Sequence, residues 1–81
     1  MDYLLAEQVA TKCGLTEEEL RGFEDRGVIE GVAKNGYRYY SSRDCYRLRA
    51  IVRLMRERGL RLGEARALVE GSRETNLATR R

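Results

Sequence analysis

The sequence predicts a mainly α-helical fold of four helices, with a two-stranded β-hairpin between the second and the third, in the order ααββαα. Three observations predict it: apolar residues recur at helical spacing in four segments, a glycine follows each of these segments, and an Asn-Gly pair separates two segments rich in β-branched or aromatic residues. The chain has 81 residues, of which 42% are hydrophobic. This length and composition allow one small domain with a modest core.

The first two helices are predicted at residues 5–13 and 17–26. Gly14 ends the first helix, because glycine readily adopts the positive φ of a helix C-terminus. Thr16 and Glu19 have the spacing of a capping box, which begins the second helix. A short glycine-containing turn between two helices is typical of a helix-turn-helix. The apolar face of helix one comprises Leu4, Leu5, Val9, Ala10 and Cys13.

A β-hairpin is predicted after helix two. Its turn is Asn35-Gly36, and its second strand is an aromatic segment. Because side chains alternate along a strand, Tyr37 and Tyr39 share one face while Arg38 and Tyr40 share the other. At least one of these aromatic side chains is therefore expected to be buried under the hairpin.

Helix three is predicted at residues 42–58, with Ser41 as its cap, and helix four from Leu62 to Gly71. Residues 72–81 lack hydrophobic periodicity, so we predict one domain over residues 1–71 and a disordered tail over 72–81. This order of elements is that of a winged helix-turn-helix. In such a fold the second helix can enter the DNA major groove while the hairpin, or wing, reaches the flanking backbone.

Charge is distributed unevenly along the chain. Residues 1–30 contain 3 basic and 8 acidic residues, a net charge of −5, whereas residues 31–81 contain 13 basic and 5 acidic residues, a net charge of +8. Arginine accounts for 14 of the 16 basic residues, and its planar guanidinium can form two parallel hydrogen bonds to phosphate or carboxylate. The basic segment favours a polyanion or an acidic protein surface as partner; a solvated helix face is the alternative.

Several classes of function are disfavoured by what the sequence lacks. It has no histidine, and Cys13 and Cys45 are too far apart for a CxxC metal-binding pair. We therefore expect no metal, no cofactor and no enzymatic activity. Both cysteines lie on predicted apolar helix faces, so we expect buried, reduced thiols. No segment is apolar enough to cross a membrane, and the sequence predicts a cytoplasmic protein.

The hairpin and the helices around it resemble a known family. The segment from Asn35 to Ser41 reads Asn-Gly-Tyr-Arg-Tyr-Tyr-Ser, and it is followed by Asp44 and Leu48-Arg49 and then by Arg58-Gly59-Leu60. Together with Gly14-Leu15-Thr16 upstream, these residues resemble the DNA-binding domain of the mercury-resistance-regulator (MerR) family of bacterial transcription factors. The resemblance covers residues 3–71. It implies a DNA-binding transcriptional regulator whose partner is double-stranded DNA.

The resemblance also implies roles for individual residues. Helix two would be the recognition helix, with Arg21 facing DNA, while the wing and Arg43 at the start of helix three would touch sugar and phosphate. Tyr39 would be either a further contact or part of the core. The DNA-binding residues expected on this basis are Thr16, Glu18, Arg21, Lys34, Tyr37, Arg38, Tyr39 and Arg43.

The sequence departs from the family pattern in three respects. Glu17, Glu18 and Glu19 stand together at the start of helix two, where they favour the helix dipole but repel phosphates. Gly22 occupies a site where the family often carries a contact residue. The chain stops soon after helix four, so we expect no long dimerising helix and no small-molecule effector site, and a homodimer or a second protein would have to supply a second half-site contact.

The acidic helix two motivates an alternative function. A protein-interaction adaptor on the same scaffold, similar to the small bacterial modulators of DnaJ-type co-chaperones, would present these carboxylates to a basic protein surface. An excisionase-like role that bends DNA is a further alternative.

Overall fold

The computed structural model describes the backbone of residues 2–79 and the side chains of residues 2–71. Contacts divide the chain into two compact units, Met1–Arg49 and Ala50–Arg81. The described helices are α1 (Ala6–Cys13), α2 (Glu17–Asp25), α3 (Ser42–Arg58) and α4 (Leu62–Thr79), and the strands are β1 (Tyr3–Leu5), β2 (Gly31–Lys34) and β3 (Tyr37–Ser41).

The helix-turn-helix forms from the local signals that predicted it. Gly14 ends α1 in the left-handed conformation, with φ 69° and ψ 37°, and the Leu15 N–H donates to the Ala10 carbonyl at 2.8 Å. At the start of α2, Thr16 Oγ1 accepts from the Glu19 N–H at 3.0 Å, and Glu19 Oε1 accepts from the Thr16 N–H at 2.9 Å. The predicted capping box is therefore confirmed, and α1 packs against α2.

A three-stranded antiparallel sheet takes the place of the predicted two-stranded hairpin. Asn35 and Gly36 both have positive φ, 54° and 81°, as a tight hairpin turn requires, and they join β2 to β3 as predicted. Strand β1 pairs with the other side of β3, which gives the order β1-β3-β2. The prediction missed β1: it began helix one at residue 5 and counted Leu4 and Leu5 on its apolar face, whereas α1 begins at Ala6. A three-residue strand forms only because a distant strand pairs with it. The local sequence pattern of β1 therefore does not predict that pairing.

The core of the first unit lies between the helices and the inner face of the sheet. Tyr40 is fully buried there, which confirms the expectation that an aromatic residue lies under the wing. Helix α3 begins as predicted, with the Asp44 N–H donating to Ser41 Oγ at 3.1 Å. The buried apolar residues of this unit are Val9, Ala10, Cys13, Leu20, Val28, Ile29, Tyr40, Cys45 and Leu48.

Both cysteines are free and buried, as predicted. Cys13 Sγ donates to the Cys45 carbonyl oxygen at 3.7 Å, which satisfies the thiol inside the core. Burial, together with the neighbouring Cys45, raises the pKa of Cys13 to about 12. Both thiols are therefore small core side chains, and Cys13 has little thiolate character at neutral pH.

The second unit contains the C-terminal part of α3 and helix α4. Among its described side chains, those of Ile51, Val52 and Ala65 are buried. Helix α3 ends at Arg58 and is followed by Gly59, whose φ is 66°. Helix α4 continues to Thr79 and so passes Gly71, where the sequence predicted its end. The division into a domain over 1–71 and a disordered tail over 72–81 stays a prediction, and residues 80–81 lie outside the described residues. Within the described part of the chain, no helix combines the length and apolar character needed to cross a membrane.

Candidate nucleic-acid interface

The residues expected to bind DNA lie on α2, on strands β2 and β3 and on the first turn of α3, all within the first unit. Lys34 and Tyr37 are opposite each other beside the hairpin turn, and both are exposed. Arg43 is exposed on the first turn of α3. Glu18 is exposed near the start of α2, whereas the Thr16 hydroxyl is engaged in the capping box. Lys34 and Tyr37 of the wing are thus within ten residues of Arg43 at the start of α3.

Arg38 does not extend freely into solvent. Its Nε donates to Glu24 Oε1 at 2.8 Å, and one of its terminal nitrogens donates to the other carboxylate oxygen, so that the wing and α2 are joined by a bidentate ion pair. The Tyr40 hydroxyl donates to Glu24 Oε1 at 2.6 Å. Glu24 therefore lies at the centre of a network that connects helix α2 to strand β3. A bidentate arginine-carboxylate pair also constrains orientation, because two parallel hydrogen bonds hold two planar groups together.

The ionisation of these three groups follows from their contacts. Hydrogen bonds from Arg38 outweigh partial burial and lower the pKa of Glu24 to about 2, with a further contribution from Tyr40. The pKa of Arg38 is raised above its ordinary value, mainly by its hydrogen bonds to Glu24. Burial, followed by the hydrogen bond to Glu24, raises the pKa of Tyr40 to about 12. At neutral pH the network is thus a carboxylate, a guanidinium and a neutral phenol.

Gly31 at the start of β2 leaves room for this network. A Cβ at this position would lie 2.8 Å from Arg38 Nε and 2.9 Å from each carboxylate oxygen of Glu24. Any larger side chain would have to displace the ion pair. The close approach of the strand to the pair explains glycine here without any special backbone conformation.

Arg21 is also associated with Glu24. Its Nε lies 3.6 Å from Glu24 Oε1, and 56% of its side chain is exposed. An exposed pair at this distance along a helix contributes little to stability and exchanges readily with solvent or another anion. Arg21 is therefore the more available of the two arginines that contact Glu24.

A second network holds the loop after α2 against the start of α3. Asp44 Oδ2 accepts from the Glu30 N–H at 3.0 Å, and Asp44 Oδ1 accepts from Arg47 at 3.0 Å. Arg47 also donates to the Val28 carbonyl at 3.1 Å. These contacts anchor the entry to β2, and so they fix where the wing begins relative to α3.

The chain matches one family model, described as the MerR HTH family regulatory protein, over residues 6–72. That match includes α1, α2, the wing and α3, and it covers most of the sequence. The chain belongs to the MerR family. A comparison with curated proteins and one with solved structures gave no significant match. The predicted family and the winged helix-turn-helix architecture are confirmed, with one strand more than expected.

Two of the carboxylates of α2 have hydrogen-bond partners within this MerR domain. Glu19 completes the capping box, and Glu24 is held by Arg38 and Tyr40. Glu17 and Glu18 are exposed, and their carboxylates make no hydrogen bond or ion pair within the described part of the chain. The charge of Glu24 is thus compensated by arginine, whereas Glu17, Glu18 and Glu19 keep the negative charges that repel phosphates.

The sequence did not predict that Glu24 is the partner of Arg38 and Tyr40, or that Tyr3 lies in a strand of the sheet. One signal for Glu24 was present: strand alternation placed Arg38 on the same face as Tyr40, and a buried Tyr40 implies that Arg38 points toward the helices. No comparable signal existed for Tyr3, because its position depends on the pairing of β1 with β3. Among the residues with described side chains, no cluster of histidine, cysteine, aspartate or glutamate could hold a metal ion.

Proposed function

We propose that this MerR-family domain is a transcriptional regulator that binds duplex DNA, with α2 in the major groove and the wing on the phosphate backbone. The observation that supports the proposal is the attachment of α2 to the wing through Glu24 and Arg38, while Arg21, Lys34 and Arg43 of the same unit are exposed. A recognition helix and a wing that are held together can contact neighbouring segments of one duplex without a large loss of conformational entropy.

The proposed roles follow from exposure and chemistry. Arg21 reads base edges or an adjacent phosphate from α2, and Lys34, Tyr37 and Arg43 bind phosphates from the wing and the start of α3. Arg38 positions the wing through Glu24 and adds a phosphate contact with its remaining donors.

The start of α2 contributes two further contacts under this proposal. The Thr16 hydroxyl accepts from Glu19 and can still donate its own proton to a phosphate. Glu18 is exposed and can accept from a cytosine amino group. A second copy of the chain would bind the second half-site that helix-turn-helix operators commonly contain.

The test is fluorescence anisotropy of a labelled duplex titrated with the full chain at several salt concentrations. We expect the logarithm of affinity to fall linearly with the logarithm of salt concentration, with a slope of about −0.9 for each phosphate contact. Arg43→Ala should reduce that slope by about one contact, whereas Arg53→Ala should leave it unchanged, because Arg53 lies outside the proposed interface and pairs with Glu57. Absence of salt-sensitive binding at low salt would contradict the proposal.

A second candidate is the protein-interaction adaptor, which the exposed Glu17 and Glu18 favour. Two carboxylates on one exposed helix end complement a basic protein surface better than they complement DNA. The double variant Glu17→Gln/Glu18→Gln separates the two functions. It should strengthen nonspecific duplex binding if DNA is the partner, because two charges that repel phosphates are removed, and it should weaken capture of a basic protein if the adaptor function holds.

A further inference from the structure

The end of α1 and the first turn of α3 meet at two cysteine side chains. Cys13 is the last residue of α1, Cys45 lies in the first turn of α3, and both thiols are free and only 5% exposed. Cys13 Sγ donates to the Cys45 carbonyl oxygen at 3.7 Å, although 32 positions separate the two residues in the chain. The fold has therefore brought the only two cysteines of the sequence together inside its core.

The ionisation of Cys13 shows that the two thiols themselves are in contact. Its pKa is raised first by burial and then by Cys45, which acts both through its charge and through a side-chain hydrogen bond. Within the part of the chain whose side chains are described, no third histidine, cysteine, aspartate or glutamate joins the pair in a cluster that could hold a metal ion. The reaction open to two adjacent thiols is oxidation to a disulfide.

A bond between these sulfur atoms would enclose the part of the domain that carries the proposed function. Helix α2 and strands β2 and β3 all lie between Cys13 and Cys45 in the chain. A cross-link that closes a long loop removes conformations from the unfolded chain, and it stabilises the fold when the native geometry accommodates it without strain. Since the two side chains already meet in the reduced protein, α1 and α3 need little movement to form the bond.

We propose that Cys13 and Cys45 form a reversible intramolecular disulfide, a redox lock that stabilises the helix-turn-helix and the wing when the surroundings become oxidising. With hydrogen peroxide as oxidant, the thiolate of one cysteine attacks a peroxide oxygen, which gives a sulfenic acid and releases water. The second thiol then attacks the sulfenic sulfur, which forms the S–S bond and releases the sulfenic oxygen as a second water. Overall, two hydrogens and two electrons pass from the thiols to one peroxide molecule.

Burial makes this lock slow to close. The thiolate of Cys13 is scarce at neutral pH, and both sulfur atoms are shielded from solvent, so a brief exposure to oxidant leaves the pair reduced. Prolonged exposure closes the lock, and a thiol reductant such as dithiothreitol opens it again. The proposal concerns the stability of the domain, and so it does not depend on the DNA-binding function proposed above.

The test compares the reduced full chain with the same chain after prolonged incubation with hydrogen peroxide. The mass of the intact chain should fall by about 2 Da, the mass of two hydrogens, and a protease digest should contain a peptide pair linked through Cys13 and Cys45. The oxidised chain should melt on the order of 10 °C above the reduced chain, and dithiothreitol should reverse this gain. Because both states have the same sequence, this comparison does not require any variant to fold.

Cys13→Ala and Cys45→Ala are the matched controls. Each keeps both methionines and one cysteine, so any effect of peroxide on those side chains appears in the controls as well. Neither variant should lose 2 Da or gain thermal stability on oxidation. The proposal is overturned if peroxide yields only disulfides between two chains or only sulfinic and sulfonic acids, or if the internal disulfide forms only in urea. A lower melting temperature of the oxidised chain, or an equal gain in a control, would also overturn it.

Discussion

Arg38 Nε lies 2.8 Å from Glu24 Oε1, and this contact joins the wing of the MerR domain to helix α2. The two residues are 14 positions apart in the chain, and the Tyr40 hydroxyl shares the same carboxylate. Arg38 was expected to be a phosphate contact on the strength of its position in the wing. The structure gives it an intramolecular partner, and several predictions depend on that partnership.

Acid should destabilise the fold through Glu24. The pKa of Glu24 is about 2 in the folded protein, against an ordinary value of 4.5, so its contribution to stability is complete above pH 4.5 and is lost as the pH falls toward 2. Glu24→Gln should flatten the dependence of the free energy of unfolding on pH within this window, as measured by urea denaturation. Glu17→Gln removes an exposed carboxylate from the same helix and serves as the control, which should keep the wild-type slope. If the free energy of unfolding of Glu24→Gln depended on pH as strongly as that of the wild type (the acid slope), the ion pair of Glu24 and Arg38 would not stabilise the fold in solution.

Tyr40→Phe should lower the free energy of unfolding at neutral pH by about 1.5–3 kcal/mol, the usual contribution of a hydrogen bond to a charged group. The phenol is buried and donates to Glu24, so its removal leaves the carboxylate with one donor fewer. Tyr39→Phe is the matched control, because the Tyr39 hydroxyl has no hydrogen bond within the described part of the chain. Equal effects of the two substitutions on the urea midpoint would contradict the assigned network.

Two glycine-to-alanine substitutions should change the free energy of unfolding in opposite directions. Gly22→Ala places a methyl group where nothing lies within 4 Å, and alanine favours a helix over glycine by about 1 kcal/mol, so the free energy of unfolding should rise by about that amount. Gly31→Ala places a Cβ against Arg38 and Glu24 and should lower stability and reduce the acid slope described above. Thermal unfolding of both variants checks the signs. If Gly31→Ala raised the free energy of unfolding, the ion pair of Arg38 and Glu24 would be able to move aside without destabilising the fold.

Arg38→Ala should lower both stability and DNA affinity, whereas Arg43→Ala should lower DNA affinity alone. Arg38→Ala leaves Glu24 without its principal partner, so it should lower both the melting temperature and the affinity for duplex DNA. Arg43 is exposed, so Arg43→Ala should lower affinity and reduce the salt slope by about 0.9 while the melting temperature stays the same. Anisotropy and thermal unfolding of the two variants, measured side by side, make the distinction. If both variants lost affinity with no loss of stability, Arg38 would be a simple phosphate contact.

The folded protein should resist alkylation of its thiols. Cys13 and Cys45 are both buried and therefore shielded from the reagent, and the raised pKa of Cys13, about 12, also makes its reactive thiolate scarce. Iodoacetamide labelling followed by mass spectrometry should be slow at neutral pH without urea and fast in denaturing urea. Rapid labelling of the native protein would contradict the buried positions of these side chains.

The parts of the fold that the sequence predicted are those with local causes. The partners of the capping box, Thr16 and Glu19, are three positions apart, and the Asn35-Gly36 turn is formed by two consecutive residues. Each of these features therefore depends on residues that are close together in the sequence. Helix α3 was predicted at its observed bounds for the same reason, since an apolar stripe and the Ser41 cap define it. The candidate site was predicted less well, because exposure and partner choice depend on neighbours that are distant in sequence.

The sequence by itself determined the order of helices, the hairpin turn, the buried cysteines and the family, since each depends on short-range patterning of apolar, capping and turn residues. Only the tertiary structure decided that β1 joins the sheet and that Arg38 faces Glu24 instead of solvent. The physical reason is that a strand pairing or an ion pair between distant residues gains its free energy from the folded arrangement, and no local propensity encodes which partner each group will meet.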